Sequence, residues 1–311
     1  MRLRTRLKPF WFLILLAVAI TAALFAIHSY RHRFVRTDAD LLPLLPMGDM
    51  TIFFANVAGL RHAGMLKLVS GTKPVTDAEY KQFIEQTQFD YSKDLDALAG
   101  AADDKQQLFF ALRGRFQWSK LRQYATTRGG SCSNGVCKMP ASTPGRWASF
   151  FEIQPDVMAL ALSSNSAAVE TLRPQGRPAA ASQLSNDPVW INVSMTLIRS
   201  SGNLPAALRI FAITLQSVDS VILSLGSAGE NTNAAFDIKL RAGCPNEATA
   251  ETARNQLDIE TKMLKLEFAR EHETPNAADL TGLLTAGTFQ VVNKQVVGTW
   301  PVAKELLKTL Q

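Results

Sequence analysis

The chain has 311 residues, 47% of them hydrophobic and 19% charged, a length comfortable for two domains. Its formal net charge of +6 would suit a nucleic-acid binder. Residues 1–36, however, hold seven Lys/Arg and no acid, which leaves 26 basic against 27 acidic residues in the remainder. The body therefore has no net attraction for phosphate. Its short basic stretches, such as "RGGSCSNGVCK", also lack the interleaved aromatics of a stacking platform, so no nucleic-acid partner is expected.

The first element is the run "FWFLILLAVAITAALFAI", Phe10–Ile27, which is uncharged. As a helix it would reach about 27 Å at 1.5 Å per residue, close to the ~30 Å hydrocarbon core of a bilayer. Trp11 and Tyr30 stand near its ends, as interfacial aromatics do. Its exit, "LFAIHSY", has no good cleavage site, so the run reads as an uncleaved signal anchor, with a cleaved signal peptide as the alternative. Arg2, Arg4, Arg6 and Lys8 precede it, and Arg31, Arg33 and Arg36 follow, which favours a cytoplasmic N-terminus. The expected layout is a basic tail at 1–9, a transmembrane anchor at 10–27 with the lipid bilayer as its partner, and a linker at 28–48. The linker contains the Pro-punctuated "TDADLLPLLP".

After the anchor, residues 51–56 read as an apolar strand. Thr76-x-x-Glu79 then opens a helix with a capping-box pattern, and Tyr80, Phe83, Ile84 and Thr87 follow helical spacing. "QLFFALRG" is a predicted strand and "QWSKLRQYAT" a short helix with Trp118, Leu121 and Tyr124 on one stripe. In "GGSCSNGVCKMP" the pair Asn134-Gly135 is a strong two-residue hairpin signal, because a type I′ turn needs φ > 0 at both positions. Cys132 then faces Cys137 at a non-hydrogen-bonded pair with Cα atoms about 4.5 Å apart, near the lower end of what a disulfide accepts. The spacing lacks the other two ligands of a zinc site and is not the CxxC of a redox pair. The expectation is a structural disulfide clip in an oxidising compartment, with two free thiols as the alternative. Cys244 reads as a buried thiol, unless it reaches the hairpin. "WASFFEIQ" and "VMALALS" are strands turned by Pro155-Asp156, and Ser166 to Leu172 forms a closing helix.

A stretch rich in Pro, Gly, Ala and Ser from Arg173 to Asp187 reads as a linker. The halves on either side look related. "DMTIFFANVAGLRHAGML" from Asp49 matches "DPVWINVSMTLIRSSGNL" from Asp187, and "FEIQPDVMALALSSNSAAVETL" from Phe151 matches "FQVVNKQVVGTWPVAKELLKTL" from Phe289; both offsets are 138 residues. In the second half "DSVILSLGS" and "AAFDIKLRAG" read as strands. A long helix runs from Asn246 to Glu271 with Ala250, Ala253, Leu257, Leu264 and Phe268 on its buried stripe. "TFQVV" and "QVVGT" pair across Asn293-Lys294, and Pro301 is placed as a first helical residue. The expected fold class is α+β: a transmembrane helix followed by two related repeats, 49–173 and 187–311, joined by a linker at 174–186. Each repeat is a mainly antiparallel sheet with helices on one face.

Chemistry-bearing motifs are few. His28 and His32 flank the apolar run, while His62 and His272 lie alone, with no metal-ligand spacing. There is no GxSxG elbow, P-loop or GxGxxG after a strand. Asp90, Asp94, Asp96, Asp103 and Asp104 cluster, but a calcium loop starting at Asp90 fails at its sixth and twelfth positions, which are Leu95 and Ala101. They read as a solvated loop with helix caps. Two of them facing one cleft would instead make a hydrolase. Asn192 begins a glycosylation sequon but falls inside a predicted strand, and Trp190 and Trp300 read as core. No catalytic residue, metal site or cofactor is assigned.

The order "LPMGDMTIFFANVAGLR", "FDYSKDLDALAG", "ALRGRFQWSKLRQYA" and "AAVETL" resembles uncharacterised single-pass bacterial envelope proteins with a domain of unknown function after an N-terminal anchor. The likeness covers mostly residues 43–173 and implies an extracytoplasmic α+β domain held at the bacterial inner membrane. The leading expectation is a non-catalytic, membrane-anchored binding module with an envelope protein or peptide as partner. The alternative is an extracytoplasmic hydrolase using the acids of Asp90–Asp104.

Overall fold

The computed structural model describes residues 35, 37–46, 48–66, 78–172, 184–200, 206–228, 234–271 and 274–309. Among them the first half supplies strands β1 (Thr51–Asn56), β2 (Leu95–Ala102), β3 (Leu108–Gly114), β4 (Ser131–Ser133), β5 (Val136–Pro140), β6 (Trp147–Gln154) and β7 (Val157–Ser163). The second half supplies β8 (Val189–Val193), β9 (Ser220–Ser227), β10 (Ala234–Gly243), β11 (Thr288–Val292) and β12 (Gln295–Ala303). All twelve form one sheet, in the order β11-β12-β10-β9-β8-β1-β2-β3-β7-β6-β5-β4.

The expected pair of separate sheets is thereby corrected. β1 and β8 pair antiparallel through Ile52↔Asn192, Phe53↔Ile191, Phe54↔Trp190 and Ala55↔Val189. The Asn56 N–H donates to the Pro188 carbonyl at 2.7 Å, and the Ser194 N–H donates to Thr51 Oγ1 at 3.1 Å. Unpaired main-chain groups on two short apolar strands would be costly inside a sheet. Pairing β1 with β8 satisfies both sets and fuses the halves.

The two halves have the same strand order, β1-β2-β3-β7-β6 and β8-β9-β10-β12-β11. Phe53 and Ile191, which face each other at the junction, are 138 residues apart. The register passes from Ala55 through Leu98 and Leu112 to Met158 in one half. In the other it passes from Val193 through Val221 and Ala242 to Val296. Met158 and Val296 are again 138 apart, while the strands between them are offset by less. The helix after each first strand is capped alike. The Asn56 side chain accepts from the Gly59 N–H at the start of α1 (Val57–His62), and the Ser194 side chain accepts from the Leu197 N–H at the start of α5 (Met195–Arg199).

Helices cover one face. In the first half these are α2 (Ala78–Thr87), the short α3 (Tyr91–Asp94) and α4 (Trp118–Thr127). Leu121 and Ala125 of α4 pack with Cys137, Phe150 and Met158. In the second half α6 (Ala206–Thr214) and the long α7 (Glu247–Arg270) lie over the sheet. Ala250, Ala253 and Leu257 of α7 meet Val221, Leu240 and Val296. Two shorter helices, α8 (Leu280–Thr285) and α9 (Lys304–Thr309), close the end of the second half.

The opposite face of the first half is capped by the chain expected to be a linker. A 3-10 turn at Asp38–Leu44 buries Leu41, Leu42 and Leu44 with Phe54, Ala97, Ala99, Ala101 and Trp190. Ala97, Ala99 and Ala101 are fully buried, and small side chains let the turn lie close to the strand. This Ala/Gly-rich strand, β2, falls where the sequence reading placed a solvated loop. Its residues have low β-propensity, and packing overrides that.

Four more expectations change. Among the described residues no helix is long and apolar enough to cross a membrane, and Phe10–Ile27 lies outside the described residues, as does Thr76 of the expected capping box. Among the described residues the one helix of sufficient length, α7, carries charge along its whole course. The transmembrane helix in the fold class, the signal anchor and the single-pass inner-membrane location are therefore withdrawn. Pro301 is not helical but sits in β12 opposite Asp237 of β10. Its missing N–H would point toward β11, whose pairing ends at Thr288↔Thr299, so no ladder bond is lost.

Glu260 of α7 is 6% exposed. One carboxylate oxygen accepts from Thr214 Oγ1 of α6, and the other has no partner among the described residues. Burial pushes its pKa up, more than the hydrogen bond from Thr214 pulls it down. The folded state thus holds the proton more tightly than the unfolded chain, so stability falls as pH rises from the ordinary glutamate range through the raised value. Glu260→Gln is expected to remove that fall. Urea midpoints at about pH 4 and about pH 7.5 should converge for the variant relative to the wild type. An unchanged difference would mean that Glu260 does not titrate across the α6–α7 contact.

Candidate functional site

A half-open groove of about 720 Å³ lies on the helix-covered face of the first half, beside the cysteine hairpin. Its floor is made by Leu108 of β3, Met139 of β5, Ala148 of β6 and Leu162 of β7. One wall is α2, which presents Glu79, Tyr80 and Phe83; the other is α4, with Tyr124, followed by Arg128. The rim runs from Pro140 to Thr143 and includes Arg146.

The walls are fixed by ring contacts. Tyr80 stacks on Phe83 with centroids 6.4 Å apart, and Phe83 meets the Tyr124 ring edge-on at 5.2 Å. The Tyr80 hydroxyl donates to Asp90 Oδ1 at 3.3 Å. Burial and the nearby Asp90 charge raise the Tyr80 pKa, so the phenol stays protonated. Beyond α4 the chain turns into the β4–β5 hairpin, where Asn134 and Gly135 take φ of 51° and 79°, as a type I′ turn requires. Cys132 faces Cys137 in that ladder, and their sulfurs are bonded. The clip holds the hairpin whose second strand supplies Met139.

The two arginines differ in what they can do. Arg146 donates to the carbonyls of Gln106 and Leu162, so it pins the β5–β6 loop. Arg128 is exposed. Its guanidinium carbon stands 5.3 Å from the Tyr124 ring centroid, and it reaches Gln82 Oε1 at 3.5 Å. Its remaining N–H groups meet no partner among the described residues. An arginine laid on an aromatic face beside a groove with an apolar floor is placed to receive a carboxylate by paired hydrogen bonds.

The five aspartates that could have formed a catalytic pair do not line this groove. Asp90 is held by Ser92 and Lys93, whose hydrogen bonds outweigh a burial effect of opposite sign and keep its pKa low. Asp94 accepts from the Asp90 N–H and pairs with Arg115 at 3.1 Å, and Asp96 pairs with Arg61 at 3.6 Å. Asp103 accepts from the N–H and side-chain amide of Gln107, and Asp104 lies exposed on that turn. Cys244 is buried and free, and Asn192 is half-buried in β8. His62 is exposed in the last turn of α1, whereas His272 is outside the described residues. No group of three metal-ligating side chains exists among the described residues. A second cavity of about 510 Å³, under α8 and α9, is lined mainly by Ala, Gly, Leu and Pro, with Glu305 at its side. It offers no aromatic or cationic group for recognition.

Sequence reasoning missed the groove. Tyr80 and Phe83 read as an ordinary helical stripe, and Arg128 only as part of the short basic stretch "RGGSCSNGVCK".

No family model matches the chain, and no curated protein matches it in sequence. Two solved chains are similar at a low level, crystal form IV and crystal form III of TP0453. Each is 13% identical, with 87% of this chain and 96% of that one covered at a TM-score of 0.41. A likeness that distant carries no argument about function.

Proposed function

We propose that the chain is a non-catalytic binding module whose groove accepts an extended peptide with an apolar side chain next to a carboxylate. The observation that carries this reading is Arg128, laid over Tyr124 at the mouth of an aromatic-walled groove with donors unclaimed. The apolar floor would take the side chain, as concave sites with few polar groups do, and the guanidinium would take the acid. The hydrolase alternative draws no support from the geometry, because Asp90, Asp94, Asp96 and Asp103 are engaged by other side chains or backbone groups, Asp104 lies exposed on a turn, and none of the five lines the groove.

A displayed peptide library is selected on the full chain, and enriched peptides are synthesised and measured by fluorescence anisotropy. Peptides carrying an acid are expected to dominate. Arg128→Glu should weaken them about tenfold or more, since a charge-assisted hydrogen bond is worth about 1.5–3 kcal/mol. Arg122→Gln, on the same helix but paired with Glu152 away from the groove, should leave affinity unchanged. Selection of unrelated sequences, or equal binding by Arg128→Glu, would remove the basis for the proposal.

A further inference from the structure

The two ends of the sheet are treated differently. One ends in β4, three residues long and clipped by the Cys132–Cys137 bond; a short, tied strand is a protected edge. The other ends in β11, "TFQVV", which carries no charge, no proline and no bulge. In the shared strand order β11 holds the place of β6, and β6 is covered on its outer side by β5 through Val136↔Phe151 to Pro140↔Trp147. Nothing among the described residues pairs with β11 on that side.

The register defines what is open. The Asn293-Lys294 turn closes on Val292↔Gln295, so Val292, Gln290 and Thr288 exchange hydrogen bonds with β12. The N–H and C=O groups of Phe289 and Val291 therefore point outward, and no main-chain bond from the described residues meets them. Thr288, Gln290 and Val292 are exposed, with Val292 at 47%.

We infer that β11 is a self-pairing edge, at which two copies of this chain join antiparallel about a two-fold axis through Gln290. In that register Phe289 and Val291 of one copy exchange both hydrogen bonds with Val291 and Phe289 of the other. Gln290 faces its own counterpart, and Thr288 faces Val292. An isologous contact requires this kind of self-complementarity. The five uncharged side chains supply it without like-charge pairs, and Lys294 falls opposite Ala286 of the second copy. The β1–β8 junction, where two equivalent strands meet antiparallel at Phe53↔Ile191, shows that this fold extends its sheet by such a contact.

The test uses the full chain in sedimentation runs from about 1 to 200 μM. A concentration-dependent dimer is expected. Gln290→Lys sets two like charges face to face on the axis and should weaken the dimer at least about fivefold. Val291→Pro removes an outward N–H that β12 does not use, so the hairpin survives and the dimer is lost. Under mild oxidation Gln290→Cys should give a single dimer band on a non-reducing gel. Thr288→Cys alone should give none, but mixed with Val292→Cys it should cross-link. A monomer throughout the range, a dimer indifferent to both the lysine and the proline, or equal cross-linking of Gln290→Cys and Thr288→Cys would each overturn the inference.

Discussion

Trp190→Ala is expected to cost about 3–5 kcal/mol of stability and to weaken both halves together. Trp190 is 1% exposed and stacks on Phe54 across the β1–β8 junction, with ring centroids 5.9 Å apart. It shares one cluster with Leu41, Leu42 and the alanines of β2. Its indole N–H has no partner among the described residues, so truncation removes packing and breaks no hydrogen bond. The cavity cannot collapse easily, because the sheet fixes the backbone on both sides. Urea unfolding followed by circular dichroism measures the loss. A cycle with Phe54→Ala should show a coupling above about 0.5 kcal/mol. A loss below about 1 kcal/mol, or additivity of the two variants, would mean that the halves do not lean on this pair.

Gly130→Ala carries the second large effect, and it reaches both stability and the groove. Gly130 lies where the chain leaves α4 for the hairpin, and its N–H donates to the Ala125 carbonyl at 2.9 Å. A Cβ there would collide with the Lys138 carbonyl oxygen, stand 2.7 Å from the Ala125 carbonyl oxygen and 2.8 Å from Met139 Cβ. Two of these obstacles are backbone and cannot rotate away. The hairpin must move off α4, at a cost of about 1–3 kcal/mol. Met139 and Tyr124 then separate, and peptide affinity should fall with stability. Gly129→Ala is the contrast. Its φ is 78° but nothing lies within 4 Å of the added carbon, so it should cost only the backbone term of about 1 kcal/mol and leave binding intact. Equal binding losses in the two variants would show that the close approach at Gly130 does not shape the groove.

Much of the fold is legible along the chain because it is local. The Asn134-Gly135 and Asn293-Lys294 turns, the apolar runs of β6 and β7, and the buried stripe of α7 are each written in a few residues. The offset of 138 is legible too, since Asp49 and Asp187, and Phe151 and Phe289, open similar phrases. What joins the halves is not. β1 and β8 meet through main-chain groups, which carry no side-chain signature, so a single sheet and two separate sheets read alike. β2 was hidden for the opposite reason. Its Ala97, Ala99 and Ala101 are chosen by the leucines of Asp38–Leu44 that press on them, and those lie more than fifty residues earlier.

The groove is the least legible part, because it belongs to no motif. Phe83 and Tyr124 meet only once α2 and α4 lie side by side on the sheet. Arg128 stands out as a candidate only because Tyr124 lies beneath it. The Asp90–Asp104 cluster shows the reverse, a conspicuous pattern whose members cap and brace α3, β2 and the turn after it.

Methyl resonances read most directly whether the groove is the binding site. Leu108, Met139 and Leu162 line it, while Met263 is exposed on α7 in the other half. On titration of the full chain with an enriched acidic peptide, the groove methyls should shift together and saturate, with Met263 unmoved. Shifts at Met263 with silent groove methyls would contradict a binding site between α2 and α4.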